Sequence, residues 1–231
     1  MLADTAPQHA RVIAIDGPAG SGKTTLANRL ARHLGYFYLD TGEMYRAITW
    51  AVVANGVDIN DPSAVSDLAQ RVKVDVRPPT CQDGRVNDVL VEDQDVTWEI
   101  RRPEIESRVS IVAAYPGVRQ AMTAKQRRIG LRGQVVMAGR DIGTVVFPDA
   151  AVKIYLDASV EERARRRYEE TSARGDSLSY TDILAAMRRR DEIDSTRQVA
   201  PLRPAEDAVL INSDGLSSDD VFKKVLTLIG K

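Results

Sequence analysis

A glycine-rich segment carries the most specific spacing in the sequence: GPAGSGKT at 17–24 fits the pattern G-x-x-x-x-G-K-[ST]. An apolar run at 12–15 precedes it and a helical pattern ending at Gly35 follows it, which predicts a strand, a loop and a helix. In that setting backbone N–H groups surround a polyphosphate, Lys23 neutralises terminal phosphate charge, and the Thr24 hydroxyl reaches Mg²⁺ held through the nucleotide. The predicted triphosphate site comprises Gly17, Pro18, Ala19, Gly20, Ser21, Gly22, Lys23, Thr24 and Thr25.

A second polar segment follows the next predicted strand, at 36–39, and contains Asp40, Thr41 and Arg46. Because parallel strands present their carboxyl ends at one edge of a sheet, this segment can place polar groups beside the phosphate loop. As an alternative, Asp40 and Thr41 only cap the following helix, predicted at roughly 44–54, since caps of this chemistry are common. The expectation is an acceptor pocket next to the triphosphate.

A third polar segment, GRDIGT at 139–144, comes directly after a predicted strand at 135–138 and points to the same crevice. Arg140 can bridge phosphates, while Asp141 can accept a hydrogen bond from a base or hold an arginine. A surface ion pair is the alternative.

The segment 161–194 is highly charged and helical, with a break near Gly175, which predicts two helices joined by a mobile tip. Spacings of three and four place a first cluster on one face: Arg163, Arg166 and Arg167. Spacings of four and three form a second stripe: Arg190, Asp194 and Arg197. The first cluster is either a solvated face or part of a lid, whereas the second can close over nucleotide phosphates and sugar.

These segments must be positioned by a sheet. Strand candidates alternate with helical patterns, which predicts an α/β fold with about five parallel strands, at 12–15, 36–39, 135–138, 152–156 and 208–211. Alternation and turns between 60 and 103 predict a small antiparallel insertion instead. The expected organisation is a core at 11–59, a mostly antiparallel β insertion at 60–103, core again at 104–158, a helical lid region at 159–194 and core at 195–231.

The composition excludes several classes of protein. Lys and Arg total 32 against 33 Asp and Glu, and 5% of residues are aromatic, which argues against a nucleic-acid surface. The single cysteine, Cys81, cannot form an intrachain disulfide, and His9 and His33 lie outside any Cys/His cluster. Residues 1–10 lack the apolar core of a leader peptide, and no apolar run approaches bilayer length. We expect a cytoplasmic protein with no membrane and no stable nucleic-acid partner.

A phosphate loop alone leaves the phosphoryl acceptor open, because GTPases, motor ATPases and small-molecule kinases share it. A guanine-selective Asn-Lys-x-Asp segment is absent from the sequence, and 231 residues leave little room for a motor. A kinase needs a second pocket, arginines around the transferring group and a lid that excludes water, and the sequence offers candidates for each. A non-catalytic nucleotide-binding module is the rival interpretation.

Four segments in chain order resemble bacterial cytidylate kinases: DGPAGSGKT at 16–24, LDTG with YR within 39–46, GRDIGTVVFPDA at 139–150 and VAPL at 199–202. The resemblance implies a three-layer, adenylate-kinase-like P-loop NTPase fold whose five-stranded parallel sheet carries a monophosphate-binding insertion at 60–103 and a helical lid. It also implies Mg²⁺-dependent phosphoryl transfer from ATP to CMP or dCMP; UMP or another small acceptor is the alternative. One departure is Ala138, where relatives often have an acidic residue.

The resemblance further implies roles for individual side chains. Residues similar to those that recognise cytosine are Thr41, Arg119 and Asp141, and residues similar to those lining the sugar are Tyr45, Ser110, Asp194 and Arg197. Residues similar to phosphate-handling arginines are Arg46, Arg140 and Arg190. Arg119 and Arg197 can trade roles between base and phosphate. Asp40 completes the expected acceptor site, Lys23, Arg140 and Arg190 are the expected catalytic residues, and a monomer is expected.

Overall fold

A computed structural model describes residues 12–173, 175 and 178–230. The residues 1–10 discussed above, with His9, and residue 11, which begins the first core segment, lie outside the described part. The strands are β1 Val12–Asp16, β2 Phe37–Asp40, β3 Val74–Arg77, β4 Asp88–Val91, β5 Gln94–Asp95, β6 Val135–Gly139, β7 Val152–Asp157 and β8 Val209–Asn212. The helices are α1 Lys23–Leu34, α2 Thr41–Ala54, α3 Pro62–Arg71, α4 Pro103–Ala114, α5 Pro116–Gly130, α6 Val160–Ala173, α7 Tyr180–Thr196 and α8 Ser218–Leu228.

Five parallel strands in the order β2-β6-β1-β7-β8 form the main sheet. All residues of β1 and β6 are buried, as expected for central strands covered by helices on both faces. One apolar cluster, which includes Met44 and Met137, packs on one face of the sheet, and a second, which includes Leu30 and Ile154, packs on the other. The predicted α/β fold with five parallel strands is therefore confirmed.

Helix α2 begins earlier than its apolar pattern predicts, at Thr41 rather than near 44. Asp40 ends β2 in an extended conformation, and its Oδ1 accepts a hydrogen bond from the Gly42 N–H at 2.9 Å. This cap satisfies one of the free N–H groups of the first turn, so the helix can start directly after the strand.

The segment 60–103 contains more helix than its pattern predicts. Strands β3, β4 and β5 do form an antiparallel sheet, but α3 precedes them. Asp61 caps α3 by accepting from two backbone N–H groups, Pro62 occupies the first turn, and Val65 and Leu68 are buried at a spacing of three. These signals are present in the sequence and identify a helix, whereas the nearby valine alternation suggests only strands.

Helices α6 and α7 pack against each other and account for the charged segment. Helix α7 continues to Thr196, so it passes the expected lid boundary at 194, and Arg197 follows its last turn with an extended backbone. Within the described part of the chain, no helix has both the length and the apolar character that a bilayer span needs.

A buried carboxylate joins the insertion to the core. Glu43, on α2, is 6% exposed and accepts from Arg101 Nη2 at 2.9 Å and from Asn87 Nδ2 at 3.4 Å. Burial, followed by the negative charge of Asp40, raises the pKa of Glu43 from 4.5 to about 7, although Arg101 opposes the rise. The contact therefore holds the insertion with a carboxylate whose ionised form is disfavoured by its surroundings.

Glu43→Gln imitates the protonated carboxyl and tests this balance. Because the folded-state pKa lies above that of the unfolded chain, ionised Glu43 lowers the free energy of unfolding; this penalty is absent below pH 4.5 and complete above about pH 7. We expect the free energy of unfolding of E43Q, relative to wild type, to rise by about 2–3 kcal/mol between these limits in urea denaturation. A difference that stays constant with pH contradicts the assignment, and E104Q on the surface of α4 controls for loss of a carboxylate.

Candidate active site

The phosphate loop lies between the end of β1 and the start of α1. Gly17 has φ of 150°, and a Cβ there would lie 2.0 Å from the Leu156 carbonyl oxygen, so the loop requires glycine at this point. Gly22 is the N-cap of α1, with φ of 91° and no capping side chain. The free N–H groups and the positive end of α1 therefore face the loop, as anion binding requires.

Lys23 is buried, and its Nζ donates to the Pro18 carbonyl at 2.6 Å. Burial, followed by the positive charges of Arg140 and Arg190, lowers its pKa well below the usual value for lysine. A bound anion would remove that penalty, because an opposite charge at close range favours the ammonium form. The lysine is thus poised for a negatively charged partner.

Thr24 and Asp40 meet where the phosphate loop faces the end of β2. Thr24 is exposed on the first turn of α1, and its Oγ1 lies 3.4 Å from Asp40 Oδ2. The other Asp40 oxygen caps α2, so Asp40 does act as a cap, but it also contacts the phosphate loop through Thr24. Thr25, the next residue, is exposed on α1.

Four cationic side chains converge on the loop from four different elements. Burial, followed by the positive charges of Arg140 and Arg46, lowers the pKa of Arg190 to about 10, with Asp194 opposing the change. The same Arg140 and Arg190 act on Lys23. This concentration of like charge in a poorly solvated crevice favours a ligand that carries several negative charges.

A chain of ion pairs with alternating sign runs from this cationic group to a set of buried polar side chains around Arg119, here called the pocket. Asp194 accepts from Arg140 Nε at 2.9 Å and from Arg197 Nη1 at 3.1 Å. Asp141 in turn lies 3.9 Å from Arg197 Nη2 and 2.7 Å from Arg119 Nη2. These contacts bring together side chains from α5, α7 and the segment after β6, which are far apart in the sequence.

Arg119 sits at the bottom of this pocket and is 2% exposed. Its guanidinium lies 5.3 Å from the centre of the Tyr45 ring, within cation–π range, and Nη1 donates to the Ala113 carbonyl. Three buried polar atoms here have no hydrogen-bond partner among the described residues: Arg119 Nε, Arg197 Nη2 and Tyr45 Oη. Because unpaired buried polar groups are unfavourable, the pocket is suited to a polar ligand with both donors and acceptors.

Arg197 is oriented by the loop that follows α7 as well as by Asp194 on the helix. Its Nε donates to the Ala200 carbonyl at 2.7 Å, and Ala200 has φ of 51°, in the left-handed region that alanine rarely adopts. The Leu202 N–H donates to the Asp194 carbonyl at 2.8 Å. Sequence spacing predicts one helical stripe of Arg190, Asp194 and Arg197. Arg197 lies just beyond the end of α7, and this strained turn keeps its side chain beside Asp194.

The remaining predicted residues lie around this pocket. Thr41 donates to the Ala138 carbonyl at 2.9 Å, which ties the start of α2 to the end of β6 instead of capping the helix. Arg46 lies on the same helix, and Ser110 lies on α4, which packs on α2 and α7. Ser110 makes no side-chain hydrogen bond to the ion-pair chain within the described residues.

The three arginines of the first lid cluster have different surroundings. Arg163 is buried, donates to the Ala19 carbonyl of the phosphate loop at 3.0 Å, and pairs with Asp191 at 2.6 Å. Arg166 donates to the Ser213 carbonyl, and Arg167 pairs with Glu106 across the surface. The solvated-face interpretation is therefore wrong for Arg163. Sequence analysis missed Asp191, because no motif marks it beyond its place next to Arg190.

Comparisons with known proteins show which family the chain resembles over almost its whole length. A family model described as cytidylate kinase matches residues 13–231. The chain is 51% identical over 218 residues to a cytidylate kinase of Herpetosiphon aurantiacus, covering 94% of this chain and 93% of the relative. It is 52% identical over 219 residues to a cytidylate kinase of Roseiflexus castenholzii, covering 94% and 93%. It is 46% identical over 217 residues to a cytidylate kinase of Bacillus velezensis, covering 94% and 95%.

The Arg163–Asp191 pair predicts energetic coupling between α6 and α7. The two side chains are 4% and 27% exposed, so their charges are weakly screened. In a double-mutant cycle of Arg163→Met and Asp191→Asn, we expect a coupling free energy of about 1–3 kcal/mol in urea denaturation. The exposed pair of Arg165 and Glu169 serves as the control and should give a much smaller coupling. Additive effects at 163 and 191 contradict the prediction.

Proposed function

The chain belongs to the cytidylate kinase family, and we propose that it transfers the terminal phosphoryl group of ATP to CMP or dCMP in the crevice described above. The products are ADP and CDP or dCDP. The family resemblance drawn from the four sequence segments is thereby confirmed. The observation that carries the assignment of the site is the convergence of Lys23, Arg46, Arg140 and Arg190 beside a buried polar pocket.

The two ends of the site suit two nucleotides. The backbone of Gly17 to Thr25 and the positive end of α1 hold the ATP phosphates. The pocket lined by Tyr45, Arg119 and Asp141 holds the base of the monophosphate, since its unpaired donors and acceptors match the polar edge of cytosine. Arg140 and Arg190 lie between the two and reach the transferring group.

The transfer is an in-line displacement. An ionised phosphate oxygen of CMP forms a bond to the γ-phosphorus of ATP, the bond from γ-phosphorus to the bridging oxygen breaks, and the electron pair leaves with ADP. The attacking oxygen is already deprotonated near neutral pH, so no strong general base is needed. Lys23, Arg140 and Arg190 stabilise the charge on the transferring group, and their positions supply most of the catalysis.

The proposal includes Mg²⁺ carried by ATP. In the described part of the chain, no group of three or more His, Cys, Asp or Glu side chains is placed to hold a metal ion. The Thr24 hydroxyl, with Asp40 Oδ2 at 3.4 Å, offers oxygen ligands of the kind that suit Mg²⁺ bound mainly through phosphates. Thr24 and Asp40 would hold the ion beside the ATP phosphates, where it would supply positive charge that offsets theirs.

The proposal also includes the residues that bind the sugar, the cellular location and the oligomeric state. Asp194 and Arg197 lie next to the base pocket and, with Ser110 on α4, would line the ribose or deoxyribose. We place the enzyme in the cytoplasm as a monomer. The exposed thiol of Cys81 has no second cysteine in the chain with which to form a disulfide, which suits a reducing compartment.

A substrate panel tests the assigned reaction. ADP release is measured with ATP, Mg²⁺ and one acceptor at a time from CMP, dCMP, UMP, AMP and GMP, and the product is identified by chromatography. We expect activity concentrated on CMP and dCMP. Strong activity on UMP favours the alternative acceptor, whereas ATP binding with no turnover, combined with salt-sensitive RNA binding, favours the nucleotide-binding module.

Lys23→Ala tests the charge at the phosphate loop. We expect turnover to fall by about 100-fold or more, because electrostatic clamps on phosphoryl groups typically contribute several kcal/mol. The circular dichroism spectrum and melting temperature should stay close to those of wild type. Lys125→Ala, on the surface of α5 away from the site, is the matched control. Near-normal turnover of a folded K23A protein excludes this role for Lys23.

Asp141→Ala tests base recognition. Its removal leaves Arg119 and Arg197 facing each other without the carboxylate between them, so the pocket becomes more positive and loses an acceptor. We expect the ratio of kcat/KM for CMP over UMP to fall by about tenfold or more, since a lost hydrogen bond to a charged group is worth 1.5–3 kcal/mol. Asp207→Ala, which removes an exposed partner of Lys153, should leave the ratio unchanged.

A further inference from the structure

One buried carboxylate at the end of β1 has no role in the phosphate loop itself. Asp16 is 4% exposed and directly precedes Gly17. Its Oδ1 accepts from the Ile142 N–H and its Oδ2 from the Gly143 N–H, both at 2.8 Å. These two amides immediately follow Arg140 and Asp141. A single side chain therefore connects the donor loop to the segment that carries two acceptor residues.

The geometry of this contact is specific for an ionised carboxylate. Two adjacent N–H groups point at one side chain, so both of its oxygens must accept. A protonated carboxyl or an amide would direct a donor at one N–H group and leave that bond unmade. The Gly143 side of the contact is crowded, because a Cβ there would lie 3.4 Å from Asp16 Oδ2 and 3.2 Å from Lys153 Cδ.

The charged and titratable groups around Asp16 come from three elements. Asp141 repels it, Lys23 on α1 attracts it, and Tyr155 on β7, its partner across the sheet, also senses its charge. Burial raises the pKa of Asp16 to about 6, while the hydrogen bonds from Gly143 and Ile142 oppose that rise. A carboxylate is therefore present at a position where an apolar residue would avoid the free-energy cost of burying a charge.

We propose that Asp16 is a positioning residue that sets the distance between the phosphate loop and the acceptor-binding residues Arg140 and Asp141. The inference rests on the proposed function, since it concerns the same reaction. Through its two hydrogen bonds, Asp16 fixes the backbone that carries Arg140 and Asp141 relative to the phosphate loop. The position of a bound acceptor therefore depends on the position of that loop. It touches neither nucleotide and acts through the backbone of residues 142 and 143.

Asp16→Asn is the principal test, because asparagine keeps the size of the side chain and removes one acceptor. We expect kcat/KM for CMP to fall by about 10- to 100-fold and the ratio of CMP over UMP to fall with it, since the removed bond involves a charged group. ATP affinity, measured by fluorescence with the full chain, should change by less than about threefold, because the phosphate loop keeps its own backbone contacts.

Asp75→Asn is the matched control for the general effect of changing a buried carboxylate. Asp75 is 6% exposed in the small antiparallel sheet and accepts from Val76, Arg77 and Arg132. We expect D75N to lower the melting temperature without changing the ratio of CMP over UMP. If D16N shows only that same loss of stability, with an unchanged ratio, Asp16 is structural and the proposal is wrong.

Two measurements do not depend on the variant being active. Amide hydrogen exchange should show Ile142 and Gly143 protected in wild type and less protected in D16N, even if the chain phosphorylates a different acceptor. If D16N does not fold, the ratio of CMP over UMP is followed from pH 7.5 to 5.5, where both substrates share the phosphate titration, in wild type and in E43Q, which removes the carboxyl of Glu43 with its pKa of about 7. A ratio that falls as Asp16 gains a proton supports the proposal, and a constant ratio overturns it.

Discussion

The mutual repulsion of buried cations is the constraint on which the rest of the structure depends. Lys23 and Arg190 both have pKa values lowered by burial and by neighbouring positive charge, and Arg140 acts on each of them. Such a group is stable only if the fold holds it rigidly and a polyanion occupies it in use. The parallel sheet supplies the rigidity, because the ends of β1, β2 and β6 bring the phosphate loop, α2 and the GRDIGT segment to one edge.

The ion-pair chain separates the positive side chains of the site into two groups. Asp194 pairs Arg140 with α7, while Asp141 pairs with Arg119 and lies close to Arg197. Without the two carboxylates, six cations would share one crevice. With them, the positive charge remains at the proposed phosphate positions, and the polar atoms left unpaired lie at the proposed base site. Charge and hydrogen bonding thus separate the chemistry of transfer from the chemistry of recognition.

The sequence predicts the parts of the site that depend on local pattern. The phosphate loop and the five strands follow from short spacings, and their meeting at one edge follows from parallel topology. The position of Arg119 on α5 came only from the family resemblance, since nothing in its own spacing marks it. The contact between Asp16 and Ile142 spans 126 residues, and that between Arg163 and Ala19 spans 144. Local spacing cannot reveal such contacts, because they are set by how helices and loops pack.

The alternating order of charges along the ion-pair chain has an evolutionary consequence. Each link lies between neighbours of opposite sign, so replacing one carboxylate turns two favourable contacts into a repulsion between arginines. A new acceptor preference therefore has to arise through paired substitutions, or through intermediates that are less stable than either end state. Single substitutions in this pocket are therefore disfavoured. Lineages that change its specificity should carry compensating changes at both 119 and 141, or at both 141 and 197.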